Sequence, residues 1–295
     1  MARILVVIVT YNALKWVKKC LNSVEKSTIP ADVLVIDNGS TDGTLSLIRT
    51  DYPRTRIIET GENIGFGAAN NRGLRIAHDE CYDFAYLMNQ DAWLQKDTLE
   101  KLVAAHKPEW GVLSPIQLNA GGKRDKRFKK KCGKYVDAAL KGYHNDSLIV
   151  EVPFVMAAHW LVSREAIATV GGFSPAFKQY GEDDNWIHRL HFHGLRCGVV
   201  PAAEAVHDRS GRRPDREKRL RLKCISTVVK ASDPNRNWRW MRIREVLELV
   251  GMGVKNFSDV PWKFIPELKE RFPELEEYRE ASKRKGAFLD SGESE

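Results

Sequence analysis

Apolar positions along the first hundred residues switch between two periods. Ile4, Leu5, Val6, Val7, Ile8 and Val9 form an unbroken, largely β-branched run, suited to a central parallel strand, that ends in the polar cluster Thr10-Tyr11-Asn12. Leu14, Val17, Leu21 and Val24 then fall on one helical face, and that helix stops before Pro30. A second strand over residues 33–36 runs into Asp37-Asn38-Gly39-Ser40-Thr41-Asp42-Gly43, a turn-rich segment with a helix start behind it. Residues 57–58 predict a short third strand, followed by Asn63-Ile64-Gly65-Phe66-Gly67 and a small-residue helix over 68–77. The fourth strand, 84–88, delivers Asn89-Gln90-Asp91 past its carboxyl end.

Asp97-Thr98-Leu99-Glu100 has the spacing of a capping box and opens a helix with Leu99, Leu102, Val103 and His106 on one side. Alternating strands and helices imply an α/β fold, a mostly parallel sheet covered by helices on both faces. Further strands are expected at 111–116 and 148–155, around a basic excursion over 121–134 that reads as a mobile surface loop. Ser163 is placed to cap a short helix ending at Gly171-Gly172. Gly181-Glu182-Asp183-Asp184 leads into a helix over 186–193, and residues 197–200 form a final strand before His207. Beyond Arg209 the stripes Leu220, Cys224, Ile225, Val228 and Ile243, Val246, Leu247, Val250, Val254 predict helices with basic flanks. The chain is therefore expected to divide into residues 1–210 and a helical extension over 211–295 that frays after about Gly286.

Composition narrows the class. With 295 residues, 43% of them hydrophobic, the chain can bury a sizeable core. The early apolar run is too short to span a bilayer and lacks a small-residue cleavage site, so a cytoplasmic location is the expectation. Five cysteines without a CxxC pair argue against a disulfide framework or a cysteine zinc site. The net charge of +8 is concentrated: residues 123–134 carry eight Lys/Arg against one Asp, and residues 209–244 carry thirteen against three acids, which leaves the remainder net −9. An acidic body with two basic segments points to local contact with something anionic.

Because parallel strands share a direction, the polar strand ends Thr10, Asp37, Gly65 and Asp91 should lie along one edge, where open α/β sheets bind nucleotides. Asp91 alone would read as a turn former. Asp37 can accept hydrogen bonds from a base or ribose, and Gly65, Gly67, Ala68 and Ala69 would admit a close ligand. Asn70 and Arg72 open the following helix in this reading, where a phosphate would feel the amide dipoles. The glycines do not complete a GxGxxG fingerprint. Glu182, Asp183 and Asp184 exceed what a helix cap needs, so one of them can serve as a general base near a sugar hydroxyl. His207 with a carboxylate is a plausible divalent-metal set.

Val7-Ile8-Val9-Thr10-Tyr11-Asn12, Val35-Ile36-Asp37-Asn38-Gly39-Ser40-Thr41-Asp42-Gly43, Asn63-Ile64-Gly65-Phe66-Gly67-Ala68-Ala69-Asn70, Leu87-Met88-Asn89-Gln90-Asp91 and Gly181-Glu182-Asp183-Asp184 together resemble, in order and spacing, the inverting glycosyltransferases of family 2, nearest to their rhamnosyltransferase-like branch. The resemblance spans about residues 4–210. It implies a GT-A fold, a UDP- or dTDP-linked sugar donor, a saccharide or polyprenyl-diphosphate-linked acceptor, and a bound Mn²⁺ or Mg²⁺. By position Thr10, Tyr11 and Asp37 would contact base and ribose, and Arg72 the base or phosphates. Asn12, Asn38, Gly65, Asn70 and Gln90 would complete the nucleotide set. Asp91 matches the metal-binding acid, His207 a late histidine of the metal or diphosphate site, and Asp183 the catalytic base, with Glu182 and Asp184 beside it. Trp186 would stack on an acceptor sugar. Asn89 replaces the first Asp of the family's DxD element, and Asn185 a further acid common after the Glu-Asp pair.

Two other classes fit parts of the pattern. A nucleic-acid-binding protein would use the basic segments, but no RNA-binding or zinc-finger motif lies among them, so no nucleic-acid partner is expected. A sugar-phosphate nucleotidyltransferase would need a glycine-rich, basic N-terminal signature that is not present. The basic segments 123–134 and 209–244 fit better with peripheral contact at the inner face of a membrane.

Overall fold

Strand and helix alternate as the apolar periods require, in a computed structural model that describes residues 2–141, 148–210 and 215–290. The order is β1 (Ile4–Thr10), α1 (Val17–Glu25), β2 (Asp32–Asp37), α2 (Thr44–Asp51), β3 (Arg56–Glu59), α3 (Phe66–Asp79), β4 (Phe84–Asn89), β5 (Ala92–Leu94), α4 (Thr98–Ala105) and β6 (Trp110–Leu118). A helical stretch follows, made of α5 (Lys126–Phe128), a π-helical turn (Lys129–Gly133) and α6 (Lys134–Leu140). Then come β7 (Val150–Glu151), β8 (His159–Ser163), α7 (Arg164–Val170), α8 (Glu182–Phe192) and β9 (Arg196–His207). Four helices close the described chain: α9 (Arg216–Ala231), α10 (Trp238–Asn256), α11 (Val260–Glu270) and α12 (Phe272–Ala281).

The strands form one sheet ordered β3-β2-β1-β4-β8-β6-β9-β5, with β7 also paired to β9. β3, β2, β1 and β4 run parallel, each return made by a helix. β8 enters antiparallel between β4 and β6, β6 runs parallel to β9, and β5 and β7 run antiparallel to β9. The sheet is thus parallel in its first half and mixed in its second. Side chains of β1 alternate between two cores, Leu5 and Val7 packing with α3, α7 and α8, while Ile4, Val6 and Ile8 pack with α1, α2 and α4. A third core, including Phe177, Cys224, Val228, Leu249 and Leu268, joins the C-terminal helices to the body.

Several expectations change. The basic excursion is not a loop: Asp125 caps a helical stretch by accepting from the amides of Arg127 and Phe128, and Phe128, Cys132 and Val136 are wholly buried. Their spacing of four puts an apolar stripe under the lysines, and burying it holds the segment down. The strand expected over 148–155 shrinks to β7, and the neighbouring apolar segment His159–Ser163 takes the central place beside β4. β9 is longer than expected and carries His207 as its last residue.

The polar tail does not fray at Gly286. The Gly286 amide donates to the Thr169 carbonyl, Gly172 donates to the Ala287 carbonyl, and Leu289 is buried. Beneath this clasp lies Arg189, fully buried, its guanidinium donating to the carbonyls of Gly172 (2.5 Å), Val170 and Ala287 (3.2 Å) with Phe288 stacked over it. Desolvation pulls its pKa down to about 9. Residues 211–214, part of the second basic segment, and residues 291–295 lie outside the described residues.

Candidate functional site

Parallel pairing sets the strand ends side by side, Thr10 opposite Asp37 and Val9 opposite Asn89. The Thr10 hydroxyl donates to Asp37 at 2.7 Å, and the Asp37 carboxylate also accepts from the Ser40 amide (2.8 Å) and hydroxyl (2.5 Å). These three hydrogen bonds fix the orientation of the buried Asp37 carboxylate. Asn12 sits at φ 49°, a left-handed conformation that Asn tolerates, and its side chain accepts from the Thr41 amide at 2.8 Å. Gln90 clamps the end of β1 by accepting from the Tyr11 amide (2.7 Å) and donating to the Tyr11 carbonyl (3.1 Å), which leaves the Tyr11 ring exposed. Asn38 reaches across to Asn63 and the Gly65 carbonyl, closing this edge.

Three nucleotide-edge expectations shift. α3 begins at Phe66, so Asn70 and Arg72 lie beyond its first turn, where the amide dipoles have faded. Asn70 is buried and donates back to the Phe66 carbonyl, while Arg72 is half-buried. Gly65 (φ 89°) gives close approach to the protein's own chain, because a Cβ there would stand 2.6 Å from the Lys178 carbonyl oxygen. At Gly67 a Cβ would come within 3.8 Å of the Glu182 Cβ, so the 63–67 turn packs directly on the segment that leads into the acids.

Beyond β4, Asp91 and His207 are both buried, with His207 Nε2 3.3 Å from Asp91 Oδ1. β5 and β9 enforce this meeting by pairing Ala92 with His207, and Asp208 donates its amide to the Asp91 carbonyl at 2.8 Å. Asn89 Nδ2 lies 3.4 Å from His207 Nε2, and Asn89 Oδ1 is buried with no hydrogen-bond partner among the described residues. An orphaned amide oxygen, a carboxylate and an imidazole form a donor set that fits Mn²⁺ or Mg²⁺. No group of three His, Cys, Asp or Glu gathers among the described residues. Arg209 Nε donates to His207 Nδ1 at 3.2 Å, which keeps the ring proton on Nε2. Ligation through Nε2 therefore requires Arg209 to turn aside. Sequence reasoning passed over the Asn89 oxygen because an amide replaces the family's first acid.

The third cluster opens α8. Glu182, Asp183 and Asp184 occupy its first turn, and the Asp184 amide donates to the Asp183 carboxylate at 2.9 Å. Burial and the Asp183 charge raise Glu182 to about 8 and Asp184 to about 6. Arg127 and Lys131, from the basic helical stretch, oppose that rise, with Lys131 Nζ 3.9 Å from Asp184. The first basic segment thus stands over the acids, which its sequence did not reveal. Asn185 is buried and donates to Ser232 at the end of α9, anchoring the C-terminal helices here.

Trp186, expected to face a sugar, does not. It is buried among Trp160 and Phe173 and donates its indole N–H to the Gly171 carbonyl at 3.0 Å, so it belongs to the core.

The raised carboxyls carry a stability prediction. Folded Glu182 keeps a proton that the unfolded chain releases near its ordinary value of 4.5, so its contribution is complete below that value and lost as pH rises through about 8. Glu182→Gln should therefore raise the melting temperature at about pH 9, by about 2–4 °C for each kcal/mol recovered, and change it little near pH 5. Thermal melts at both values check this; a gain confined to the acidic side contradicts the sign.

A parallel nucleotide edge, a carboxylate–imidazole cluster at its end and a helix opened by acids define a glycosyltransferase of GT-A architecture that uses a nucleotide-sugar donor. The chain belongs to glycosyl transferase family 2, whose model matches residues 5–171. The N-acetylglucosaminyl-diphospho-decaprenol L-rhamnosyltransferase of Mycobacterium tuberculosis is 28% identical over 263 residues, 79% of this chain and 85% of that protein. Among solved structures, TarS of S. aureus has TM-score 0.57 at 16% identity, covering 96% of this chain; the chain spans only 55% of TarS. The mannosyltransferase PcManGT of Pyrobaculum calidifontis, solved with GDP-Man and Mn²⁺, has TM-score 0.54 at 20% identity over 95% of this chain and 73% of that one.

Proposed function

We propose that the protein transfers a sugar, rhamnose being the leading candidate, from a UDP- or dTDP-linked donor to a hydroxyl of a saccharide or polyprenyl-diphosphate-linked acceptor, with inversion. The observation that carries this reading is the meeting of Asp91 and His207 beyond the parallel strands, with the acid-opened helix α8 packed against the 63–67 turn. Thr10, Tyr11, Asn12, Asp37 and Asn38 would hold base and ribose, with Gly65, Gln90, Asn70 and Arg72 supporting that edge or the phosphates. Asp91, with Asn89 and His207, would hold Mn²⁺ or Mg²⁺. When bound, such an ion supplies Lewis-acid neutralisation of the leaving diphosphate, worth several kcal/mol of barrier.

In the displacement, the Asp183 carboxylate takes the proton of the acceptor hydroxyl as its oxygen bonds to the anomeric carbon. The bond from that carbon to the nucleoside diphosphate breaks on the opposite face. Glu182, raised to about 8, is protonated at neutral pH and unsuited to the role. Arg127 and Lys131, beside the acids, would supply cations to the phosphates of a lipid-linked acceptor.

The M. tuberculosis relative, whose name states an L-rhamnosyl group and a diphospho-decaprenol acceptor, supports the choice of sugar and acceptor. No helix among the described residues is long and apolar enough to cross a membrane. Contact with a lipid-borne acceptor would run through the basic segments, at the cytoplasmic face.

A panel of nucleotide sugars in thermal-shift assays with and without Mn²⁺ tests the donor. The matching donor at about a hundredfold over its Kd should add about 2.7 kcal/mol of stability, and more with the metal than without. A panel in which neither UDP- nor dTDP-sugars shift the melt contradicts the reading.

A further inference from the structure

We propose that the outer face of α10 is a docking surface for an anionic membrane, lying in the headgroup region parallel to the bilayer. The helix carries two apolar stripes. The inner one, including Trp238, Met241 and Leu249, is buried against the other C-terminal helices. The outer one consists of Trp240, Ile243, Leu247, Val250, Val254 and, at the helix end, Phe257, with exposures of 60%, 58%, 62%, 42%, 61% and 94%.

These positions alternate steps of three and four, so they form one seam along the whole 19-residue helix, about 28 Å long. Trp262 of α11 extends it, donating its indole N–H to the Val250 carbonyl at 3.2 Å while half its surface stays open. A seam of this extent far exceeds scattered surface apolar residues and calls for a partner.

The rim decides which partner. Arg239, Arg244 and Lys255 flank the seam and are exposed, whereas the nearby acid Glu248 is already engaged by Lys230 at 2.6 and 2.7 Å. A second copy docked on the same face would set these cations against their own kind. Anionic headgroups match them, and a tryptophan-bearing apolar stripe with a basic border is the pattern of a helix lying in a membrane interface. The inference rests on the membrane contact proposed above, but not on the glycosyl chemistry, and it adds an apolar anchor to what basic segments alone would make a purely electrostatic contact. Asn185 of α8 is bonded to Ser232 at the end of α9, so the C-terminal helices that carry the seam are tied to the helix that bears the acids.

The full chain should co-sediment with phosphatidylcholine–phosphatidylglycerol vesicles, bind phosphatidylcholine alone weakly, and keep part of its binding in high salt. Brominated lipid should quench its tryptophan emission, and Trp240→Phe should remove part of that quenching. The double variant Ile243→Glu, Leu247→Glu, changed only at exposed positions, should bind at least about tenfold more weakly, with melting temperature and transfer to a water-soluble acceptor unchanged. Absence of vesicle binding by the parent chain overturns the proposal. Equal binding by the double variant also overturns it, while leaving contact through the basic segments intact. A concentration-dependent dimer in sedimentation velocity that the double variant dissolves would assign the seam to a second copy instead.

Discussion

Asp91→Asn should reduce metal-dependent transfer by about 10²–10⁴, the loss expected when several kcal/mol of leaving-group stabilisation disappears, while the protein melts as a folded molecule. The change is isosteric; it removes the charge and turns one carboxylate oxygen into an amide NH2. The backbone bonds that place residue 91, the Asp208 amide to its carbonyl and the pairing of Ala92 with His207, do not involve the side chain. Asn89, His207 and the new amide oxygen would remain without a carboxylate among them, too weak a set to hold a hard divalent cation against a diphosphate. Mn²⁺ titration in the presence of nucleoside diphosphate gives a readout separate from turnover. Unchanged Mn²⁺ affinity in the variant would falsify the metal assignment.

The second large effect is expected at Asp183. Asp183→Asn should leave donor binding intact and lower transfer by about 10²–10⁴, the range for a lost general base. The neighbours are poor substitutes: Glu182 is held protonated at neutral pH, and Asp184 faces Lys131. Donor affinity by thermal shift and transfer by product formation separate binding from chemistry. Near-parental turnover in Asp183→Asn, together with its collapse in Asp184→Asn, would move the base by one residue.

The first half of the fold could be read closely from the chain because β1 and β4 are buried on both faces and its strands are separated by helices of clear period. β1, β2, β3 and β4 appear where the apolar runs lie, and their shared direction brought Thr10 beside Asp37 as expected. The second half resisted for a physical reason. His159–Ser163 sits in a longer apolar stretch, and an uninterrupted apolar run carries no period from which to place a strand. In the basic excursion the lysines dominated the reading, although Phe128, Cys132 and Val136 already spelled a helical stripe.

The site shows the same division. Asp91 and His207 could be paired in advance through the family resemblance; in the structure Asp91 lies between β4 and β5 and His207 ends β9. Arg127 and Lys131 could not be placed beside the acids, since only the packing of residues 126–140 onto the body brings them there. Trp186 was misjudged because a tryptophan two residues behind an acid cluster looks the same in sequence whether it faces a ligand or the core.

Arg189 has a consequence for the order in which the protein is made. Its partner carbonyl on Ala287 lies 98 residues later in the chain. While the ribosome is still producing the C-terminal helices, the turn after α7 has neither the Ala287 carbonyl nor the Phe288 ring over it, and the guanidinium there is covered by only part of its final shell. The nascent body thus carries a cation open to water where the finished molecule seals one away. Emergence of residues 286–289 is the step that closes it.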